Sequence, residues 1–360
     1  MSWAVAFREQ GWDVWITEHL SPKELTPDPE NPGTTQQERF WRETVAEFGF
    51  AGRECLIVDG ASPQLAAMRE FAQGAELFLN YSGQFHLLPL VDGVKCKGYL
   101  DVDPAFTQIW SEVCGVNMNF AGHDRHFTVG LNLNGPTARL PKAGIDWVPV
   151  PPPMPAAYWR GRRARCAGPD AGGAWTTVGH WYGYHDLVWE ERIYGGKRDS
   201  FLALTGLPKQ VPVDCAVATD LEKAWDGGDY NRFLAAGWKF FAAAEACATV
   251  ETYLQFIQTS RGEIGIAKGG YLASQCGWMS DRSLIYLALG RPVLLQETGW
   301  TQVLPAGEGI LPFHDLESCA AAIRKVEADY ENQSRAAVAF VEKWMAPKRV
   351  VGLIAEAADL

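Results

Sequence analysis

The stretch from Gly277 to Trp300, GWMSDRSLIYLALGRPVLLQETGW, constrains the fold more than any other part of the sequence. Ser280 is a residue type that caps helices, Asp281 is favourable in a first turn, and the apolar run that follows predicts a helix reaching Leu289. Gly290 ends that helix, and the proline two positions later prevents its continuation. A short helix with a defined start and a defined end is therefore predicted.

A buried strand follows the predicted helix directly. The run 293–295 is short, apolar and bounded by turn residues, which is typical of strands in a parallel sheet covered on both faces. The start of the preceding helix offers unpaired backbone N–H groups and the positive end of the helix dipole, with Arg282 close by. This unit of loop, helix and strand predicts a site for an anion such as a phosphate group.

Short apolar runs and amphipathic helical segments alternate along the rest of the chain. This alternation favours an α/β protein with parallel sheets covered by helices on both faces. The other predicted strands are 12–17, 54–58, 75–80, 97–102, 127–130, 175–178, 211–217, 238–241 and 264–267. The other predicted helices lie near 4–11, 36–48, 62–73, 104–114, 197–204, 230–235, 249–260, 316–330, 335–344 and 348–357.

A proline-rich segment divides the sequence into two halves. Five prolines among residues 148–155 (VPVPPPMP) hold the chain extended, exclude regular ladders and predict a linker. We predict one Rossmann-like domain over 1–148, a second over 149–345, and a C-terminal helix over 346–360. A return to the first domain is one of the courses open to this helix. The helix near 4–11 follows no strand and glycine-containing loop, so the first domain is predicted to lack both.

Charge and composition exclude several functions. The net charge of −11 at pH 7 argues against a nucleic-acid-binding or anionic-membrane surface. No apolar run approaches the roughly 20 residues that span a bilayer, and the first residues do not read as a leader peptide, so a cytoplasmic protein without a membrane span is predicted. The eight cysteines and seven histidines form neither a C-x-x-C nor an H-E-x-x-H pattern, so neither a bound metal nor a disulfide framework is predicted.

Polar residues cluster where several predicted elements of the second half meet. Because loops after parallel strands converge at one edge of the sheet, ligands bind there. The predicted members of a nucleotide-sugar site are Glu263, Lys268, Ser280, Asp281, Arg282, Ser283, Glu297, Thr298, Gly299 and Glu308. Helix amides and Arg282 would hold a diphosphate, and a carboxylate would hold ribose or sugar hydroxyls. Taken alone, each residue fits a capping or turn role better than a binding role, whereas the ordered spacing of the whole set favours a binding site.

The segment 175–184, WTTVGHWYGY, is predicted to supply the first strand of the second half and the loop after it. Gly179 permits a close approach of a ligand to the backbone. His180 is placed to face the cleft between the halves. Both are therefore added to the predicted donor site.

Several segments resemble one enzyme family. The segments EIGIAKGGY, GWMSDRSLIYLALGRPVLLQETGW and LPAGEGILPF resemble the C-terminal half of GT-B glycosyltransferases. AELFLNYSGQF, LDVDPAFTQIW, HDRHFTVG and WTTVGHWYGY are similar to a bacterial group of these enzymes, so the likeness covers most of the chain. The resemblance implies an α/β fold of GT-B type, with two Rossmann-like domains facing a cleft. The second would bind the donor, and the first, without its opening strand and Gly loop, would face the acceptor.

The resemblance also implies roles for individual residues. In GT-B enzymes the strand, loop and helix corresponding to the Gly277–Trp300 stretch bind the nucleotide diphosphate of the donor. Asp281 stands where many members have a glutamate that contacts ribose or sugar. Lys197, in the segment YGGKRD, resembles a basic residue that many retaining members place near the phosphates, although a surface lysine fits the sequence equally well. Helix amides and basic side chains replace a metal in this arrangement, so no cofactor is expected.

Three residues of the first half are candidates for the catalytic base. Asp103 follows a predicted strand, and His123 and His126 fall in one loop before a strand. Inverting transfer needs a base that removes the acceptor proton, and a histidine or aspartate serves this purpose. Retaining transfer relies more on stabilising the leaving diphosphate. Asp103 also fits a helix N-cap, and either histidine also fits a core position.

The sequence therefore predicts a glycosyltransferase that moves a sugar from a nucleotide diphosphate donor to a small-molecule or peptide acceptor. Two alternatives stay open at this point: a sugar-nucleotide epimerase or hydrolase of the same fold, and a noncatalytic nucleotide-sugar-binding protein. Closure of the cleft around the linker near Val150 is expected to exclude water from the donor.

Overall fold

Two parallel β-sheets organise the computed structural model, which describes residues 1–29, 31–163, 165–166, 173–221 and 227–360. The strands, numbered in chain order, are β1 (Ile16–Leu20), β2 (Glu54–Val58), β3 (Leu77–Tyr81), β4 (Cys96–Asp101), β5 (Arg125–Thr128), β6 (Trp147–Pro149), β7 (Trp175–Val178), β8 (Leu187–Trp189), β9 (Arg192–Tyr194), β10 (Cys215–Thr219), β11 (Lys239–Ala242), β12 (Gly262–Gly265), β13 (Val293–Gln296) and β14 (Ile310–Phe313). The helices are α1 (Ser2–Glu9), α2 (Gln36–Glu47), α3 (Leu65–Gln73), α4 (Phe106–Glu112), α5 (Ala156–Arg163), α6 (Arg198–Leu202), α7 (Gly227–Ala236), α8 (Ala243–Ala246), α9 (Val250–Thr259), α10 (Gly269–Ser274), α11 (Asp281–Ala288), α12 (Leu316–Ala328), α13 (Tyr330–Trp344) and α14 (Pro347–Ala357).

The second half, residues 149–345, contains the larger sheet. Its strands lie in the order β11-β10-β7-β12-β13-β14, and each neighbouring pair is parallel. Every residue of β10 and β13 is buried, as expected for parallel strands covered on both faces. The chain reverses its direction of progress across the sheet between β7 and β12. At such a switch point, ligands bind beyond the carboxyl ends of the strands.

The first half, residues 1–148, carries a smaller parallel sheet in the order β3-β4-β5-β6. Strands β1 and β2 form a separate parallel pair, and helix α1 precedes them. A hairpin of β8 and β9 projects from the loop between β7 and α6 in the second half. Both sheets agree with the predicted alternation of strand and helix.

Several predicted elements are confirmed, but the strands predicted at 12–17 and 211–217 begin later, at Ile16 and Cys215. The predicted strands 54–58 and 175–178 match β2 and β7 residue for residue, and the helix predicted after Ser280 is α11. The prediction of a strand at 12–17 is wrong in position. The ring of Trp12 packs on Phe7 with 5.2 Å between centroids, so the strand begins only at Ile16, where pairing with Glu54 starts.

The proline-rich segment is a packed part of the fold rather than an open linker. Its first residues lie in β6, so the prediction that the prolines exclude a ladder is wrong there. Strand β6 is an edge strand, where a proline needs no partner for its missing N–H group. Residues 150–155 are buried, and the amide of Met154 donates to the carbonyl of Met345 at 2.7 Å.

The two halves share an apolar cluster. Phe106 and Trp147 of the first half pack with Tyr194 and Tyr271 of the second, and each of these side chains is at most 2% exposed. Large apolar contacts of this kind hold two domains in a fixed relation. The halves are therefore packed as one body at this contact.

Helix α14 returns to the first half. It packs on α1, and Val350, Val351 and Ile354 join an apolar cluster with Trp3 and Phe7. The Nε of Arg125 in β5 also donates to the carbonyl of Ala357 at 2.6 Å. No helix within the described ranges is both long enough and apolar enough to cross a membrane.

Candidate functional site

A cationic group of side chains lies at the carboxyl edge of the larger sheet. Strand β7 ends there before Gly179, and the chain leaves β12 towards Lys268. Helix α11 begins at the same edge and packs on β12 and β13. Lys197, Lys268 and Arg282 are close enough for the charges of the other two to lower the pKa of Lys197.

Arg282 and Glu263 form a buried ion pair beneath this edge. The Nε of Arg282 donates to Oε1 of Glu263 at 2.5 Å, and its Nη1 donates to the carbonyl of Val178 at 2.6 Å. The side chains are 11% and 0% exposed, respectively. Burial alone would lower the pKa of Arg282, but the Glu263 carboxylate outweighs burial and raises it. Most of the guanidinium is thus committed to the protein, and among the described residues only its Nη2 lacks a partner.

Lys197 is the cation of this group that is open to a ligand. It precedes α6, and its amide donates to the carbonyl of Tyr182 at 2.7 Å. Gly196 permits that turn, since a Cβ there would lie 2.1 Å from the same carbonyl oxygen. Lys197 is 8% exposed, and within the described ranges its Nζ has no hydrogen-bond partner.

Burial makes the charge of Lys197 unfavourable. Burial, followed by the charges of Arg282 and Lys268, lowers its pKa to about 7, although Glu263 and Asp103 act in the opposite direction. A Cβ on Gly179 would lie only 2.8 Å from its Nζ, so the ammonium group rests against the backbone at the end of β7. A buried, unpaired ammonium group indicates a place for an anion.

Lys268 is paired across the two halves with Asp103. Its Nζ lies 2.7 Å from Oδ1 of Asp103, and the hydroxyl groups of Tyr271 and Tyr184 donate to the same carboxylate, that of Tyr184 at 2.9 Å. Burial alone would raise the pKa of Asp103, but the Lys268 charge and these three donors outweigh burial and lower it. Asp103 is therefore ionised and accepts from three groups of the second half.

Asp101 positions this carboxylate. It is completely buried and accepts hydrogen bonds from Thr107, Gln108 and Thr128 at 2.7–2.9 Å, and from the amide of Asp103 at 3.0 Å. Ala105 follows with φ +77° and ψ −50°, a strained conformation for a residue with a side chain. The turn between β4 and α4 is thus held in one shape that presents Asp103 to the second half.

The start of α11 faces the first half. Ser280 occupies the N-cap position, but its side chain makes no capping hydrogen bond, and the Oγ of Ser283 has no partner among the described residues. Asp281 is exposed, and its Oδ1 accepts from the amide of Arg282. Burial and, second, the charge of Asp281 raise the pKa of Tyr81 in β3. Asp281 is therefore directed towards the carboxyl end of the smaller sheet.

Three of the predicted donor residues support the loop that leads into α11. The Oγ1 of Thr298 donates to the carbonyl of Trp278 at 2.6 Å, and the amide of Gly277 donates to the carbonyl of Thr298 at 2.7 Å. Glu297 accepts from the amide of Gly299 at 2.6 Å. These contacts position the loop, and they do not bring the three residues to Lys197.

Two predicted donor residues lie outside the cationic group. The side chain of His180 is 84% exposed, and its Nδ1 lies 2.8 Å from Asp220, which also accepts from the amide of Trp181 at 2.8 Å. Glu308 is exposed and precedes β14, at the amino edge of the sheet. The cationic group lies at the opposite, carboxyl edge, so the structure separates Glu308 from it.

The two candidate histidines are not brought to this group either. Both rings lie 3.2 Å from the carbonyl of Phe120, His123 through Nδ1 and His126 through Nε2. His126 is in register with Tyr99 and Trp147 and packs among their rings. Burial lowers the pKa of both histidines. Their contacts lie within the first half, in an aromatic cluster.

Sequence reasoning missed Tyr184 and Tyr271. Both donate to Asp103, and the ring centroid of Tyr184 lies 3.6 Å from the Nζ of Lys268. The spacing of Lys268 and Tyr271, three residues apart at the start of α10, places them on one side of a helical turn and was the available signal. In the described part of the chain, no group of three or more His, Cys, Asp or Glu side chains is placed to hold a metal ion.

Comparison with known proteins identifies the fold. The sequence matches no protein-family model and no curated protein. The structure is similar to Anabaena HepE in complex with UDP-glucose, with a TM-score of 0.54 and 11% identity over 96% of this chain and all of that one. It is also similar to HepE with UDP and glucose (TM-score 0.53, 12% identity, 96% and 100% covered) and to OtsA without ligand (TM-score 0.50, 11% identity, 99% and 94% covered). The chain therefore has the predicted GT-B type of α/β fold.

Proposed function

We propose that this chain is a glycosyltransferase that moves a sugar from a nucleotide diphosphate donor to a small-molecule or peptide acceptor. The observation that carries the proposal is the ammonium group of Lys197, which is buried against Gly179 at the carboxyl edge of the larger sheet and has no hydrogen-bond partner within the described residues. Burying that charge without a partner is unfavourable, and an anionic ligand removes the cost. The GT-B type of fold supports a sugar nucleotide as that ligand.

The diphosphate lies, in this proposal, between Lys197 and the first turn of α11. The amides of that turn and the positive end of the helix dipole favour phosphate oxygens. Arg282 contributes through its unpartnered Nη2, while Glu263 fixes the rest of its guanidinium. Asp281, exposed at the start of α11, is assigned to hydroxyl groups of the donor.

The same groups serve the chemical step. As the bond between the sugar and the diphosphate breaks, negative charge grows on the leaving phosphate oxygen. A preorganised ammonium group and helix amides stabilise that charge, and we propose that they do so without a metal ion or another cofactor. Asp103 is not assigned as the base, because its carboxylate already accepts three hydrogen bonds and its pKa is lowered.

UDP is the first nucleotide to test, because HepE structures of the same fold hold UDP and UDP-glucose. Isothermal titration of UDP into the protein should give a saturable heat, and UDP should raise the melting temperature. Failure of UDP, ADP, GDP and TDP to do either would remove the support for a nucleotide-sugar site.

Release of the nucleotide diphosphate then separates the functions. A transferase releases UDP from a UDP-sugar much faster with an acceptor than without one. Release at the same rate without an acceptor would identify a hydrolase, and binding with neither release nor conversion would identify a noncatalytic binding protein. Activity after treatment with a chelator tests whether a metal takes part.

A further inference from the structure

We infer that Lys268 has two positions: it pairs with Asp103 while the site is empty, and it moves onto the diphosphate when the site is filled. Asp103, which belongs to the first half, is then a positioning residue that controls a cation of the second half. The inference rests on the proposed anion site at Lys197. It adds an exchange of partners that the proposed function does not require.

The paired position of Lys268 is well defined. Its Nζ lies 2.7 Å from Oδ1 of Asp103, 3.2 Å from the hydroxyl of Tyr271 and 3.6 Å from the ring centroid of Tyr184. The side chain is 14% exposed and that of Asp103 is 25% exposed, so solvent reaches both partners. An ammonium group on a flexible four-carbon stem can change partners without movement of the backbone.

Asp103 remains paired when Lys268 leaves. The hydroxyl of Tyr184 donates to Oδ2 and that of Tyr271 donates to Oδ1, so two donors stay on the carboxylate. Departure of the cation therefore does not leave a buried carboxylate without hydrogen bonds. Glu263 differs, because its Oε2 has no partner among the described residues and Arg282 is its counter-ion.

The balance of charge supplies the reason for the exchange. Arg282 is neutralised by Glu263 and Lys268 by Asp103, so Lys197 is the remaining unneutralised cation of this group. A diphosphate carries more than one negative charge, and a single buried ammonium group does not balance it. Lys268 is the neighbouring cation with an exchangeable partner, and its charge already acts on Lys197. An anion between the two ammonium groups attracts both of them and offsets their mutual repulsion.

Because the two halves pack tightly together, the part of the site that moves is a side chain. Phe106 and Tyr271 meet in the apolar cluster shared by the halves, and their ring centroids lie 5.5 Å apart. A Cβ on Gly270 would lie 2.5 Å from the ring of Phe106, so the two halves are in tight contact here. The segment 150–155 is buried as well. Adaptation to a ligand at this contact therefore falls to Lys268 rather than to a hinge.

Calorimetric titration with inorganic pyrophosphate and with UDP tests the exchange. The titration is done at about pH 6, below the pKa of Lys197, so that the ammonium group of Lys197 is charged. Asp103→Asn removes the competitor for Lys268 while keeping an acceptor for the tyrosines, and pyrophosphate should bind about 5- to 10-fold more tightly. Lys268→Met should weaken binding by a similar factor. Asp214→Asn, which removes an equivalent charge from the exposed Lys239 pair, is the matched control and should leave affinity unchanged.

The double variant distinguishes exchange from a general change in charge. If Lys268 moves, Asp103→Asn no longer tightens binding in a Lys268→Met background. Equal tightening in both backgrounds, or unchanged or weaker binding in Asp103→Asn alone, overturns the inference. Binding of pyrophosphate with the predicted pattern but no binding of UDP or any other nucleotide would remove the proposed function and leave the exchange intact.

Discussion

The two carboxylate–cation pairs at the site differ in depth and in origin. Glu263 and Arg282 both belong to the second half, are 0% and 11% exposed, and fix α11 against β12 and the end of β7. Asp103 and Lys268 come from different halves and are 25% and 14% exposed. The deep pair has few other donors, whereas Asp103 has two tyrosine hydroxyls in addition to its cation.

Because of this difference, the two ion pairs have different roles in the protein. Removing one charge from an ion pair that is excluded from water strongly destabilises the folded protein, so such a pair has a structural role. A pair near solvent, with spare hydrogen-bond donors, can exchange a partner at little cost. Within the described residues, Lys197 has no carboxylate partner of its own, so in the proposed function it is the group whose charge the ligand neutralises.

The largest effect is expected from breaking the deep pair. Glu263→Gln leaves the buried Arg282 without its counter-ion, and we expect a loss of about 3–5 kcal/mol in the free energy of unfolding. Asp103→Asn should cost only about 1 kcal/mol, because the tyrosines keep an acceptor. Urea denaturation followed by tryptophan fluorescence measures both. Equal losses for the two variants would contradict the distinction between a fixed and an exchangeable pair.

Removal of the unpaired cation should separate binding from stability. Lys197→Met is expected to weaken UDP binding by about 1.5–3 kcal/mol, or roughly 10- to 150-fold, since a charged hydrogen bond is lost. The same variant should raise the melting temperature of the ligand-free protein, because a costly buried charge is gone. Lys239→Met, at an exposed position, is the control for loss of a lysine. Unchanged UDP affinity in Lys197→Met would remove this residue from the site.

The pKa of Lys197 makes ligand binding depend on pH. Its ammonium group is charged below about pH 7 and neutral above it, so UDP should bind more tightly on the acidic side and more weakly as pH rises through about 7. Lys197→Met should lack this component of the profile, which isolates it from the titration of UDP itself. Calorimetry at a series of pH values checks the difference between the two profiles, and parallel profiles would count against the assignment.

The lowered pKa of Lys197 gives the stability of the ligand-free protein a pH dependence opposite to that of UDP binding. The folded state releases the Lys197 proton near pH 7, while the unfolded state keeps it up to about pH 10.5. The unfolded state therefore binds more protons between these values, and stability should rise with pH across that window. The difference between wild type and Lys197→Met in urea denaturation should shrink over the same range.

The smallest expected effect comes from the backbone beside Lys197. A Cβ on Gly179 would lie 2.8 Å from the Nζ, which is the far end of a flexible side chain and can shift. Gly179→Ala should thus weaken UDP binding only about 2- to 5-fold, well under the loss from Lys197→Met. Gly352→Ala, where a Cβ meets nothing within 4 Å, is the control. A loss as large as that of Lys197→Met would show that the ligand itself touches Gly179.

Local patterns in the sequence predicted much of the fold. The apolar run and the caps around α11 and β13 are local signals, and both elements form where they were predicted. The prediction of a strand at 12–17 was wrong in position because its alternating apolar residues fit a packed loop as well as a strand. Pro149 was compatible with a ladder only because β6 lies at a sheet edge, which is a property of topology.

The location of the candidate site could be predicted from the sequence, but the ion-pair partners of its residues could not. Residues that follow strand ends were rightly expected at the carboxyl edge, as Lys268 and Arg282 show. The partner of Lys268 lies 165 residues away in the sequence, and no local pattern connects the two. Likewise, the charge of Arg282 was visible, but its commitment to Glu263 depends on the depth of β12 in the sheet.

A crystal structure of the protein with UDP would show directly whether the diphosphate binds at Lys197. We expect a phosphate oxygen within about 3 Å of the Nζ of Lys197, with the diphosphate against the first turn of α11 and Lys268 turned away from Asp103. A diphosphate bound elsewhere, with Lys197 still unpaired, would contradict the assignment of the site. A diphosphate on Lys197 with Lys268 still on Asp103 would uphold the site and contradict the exchange.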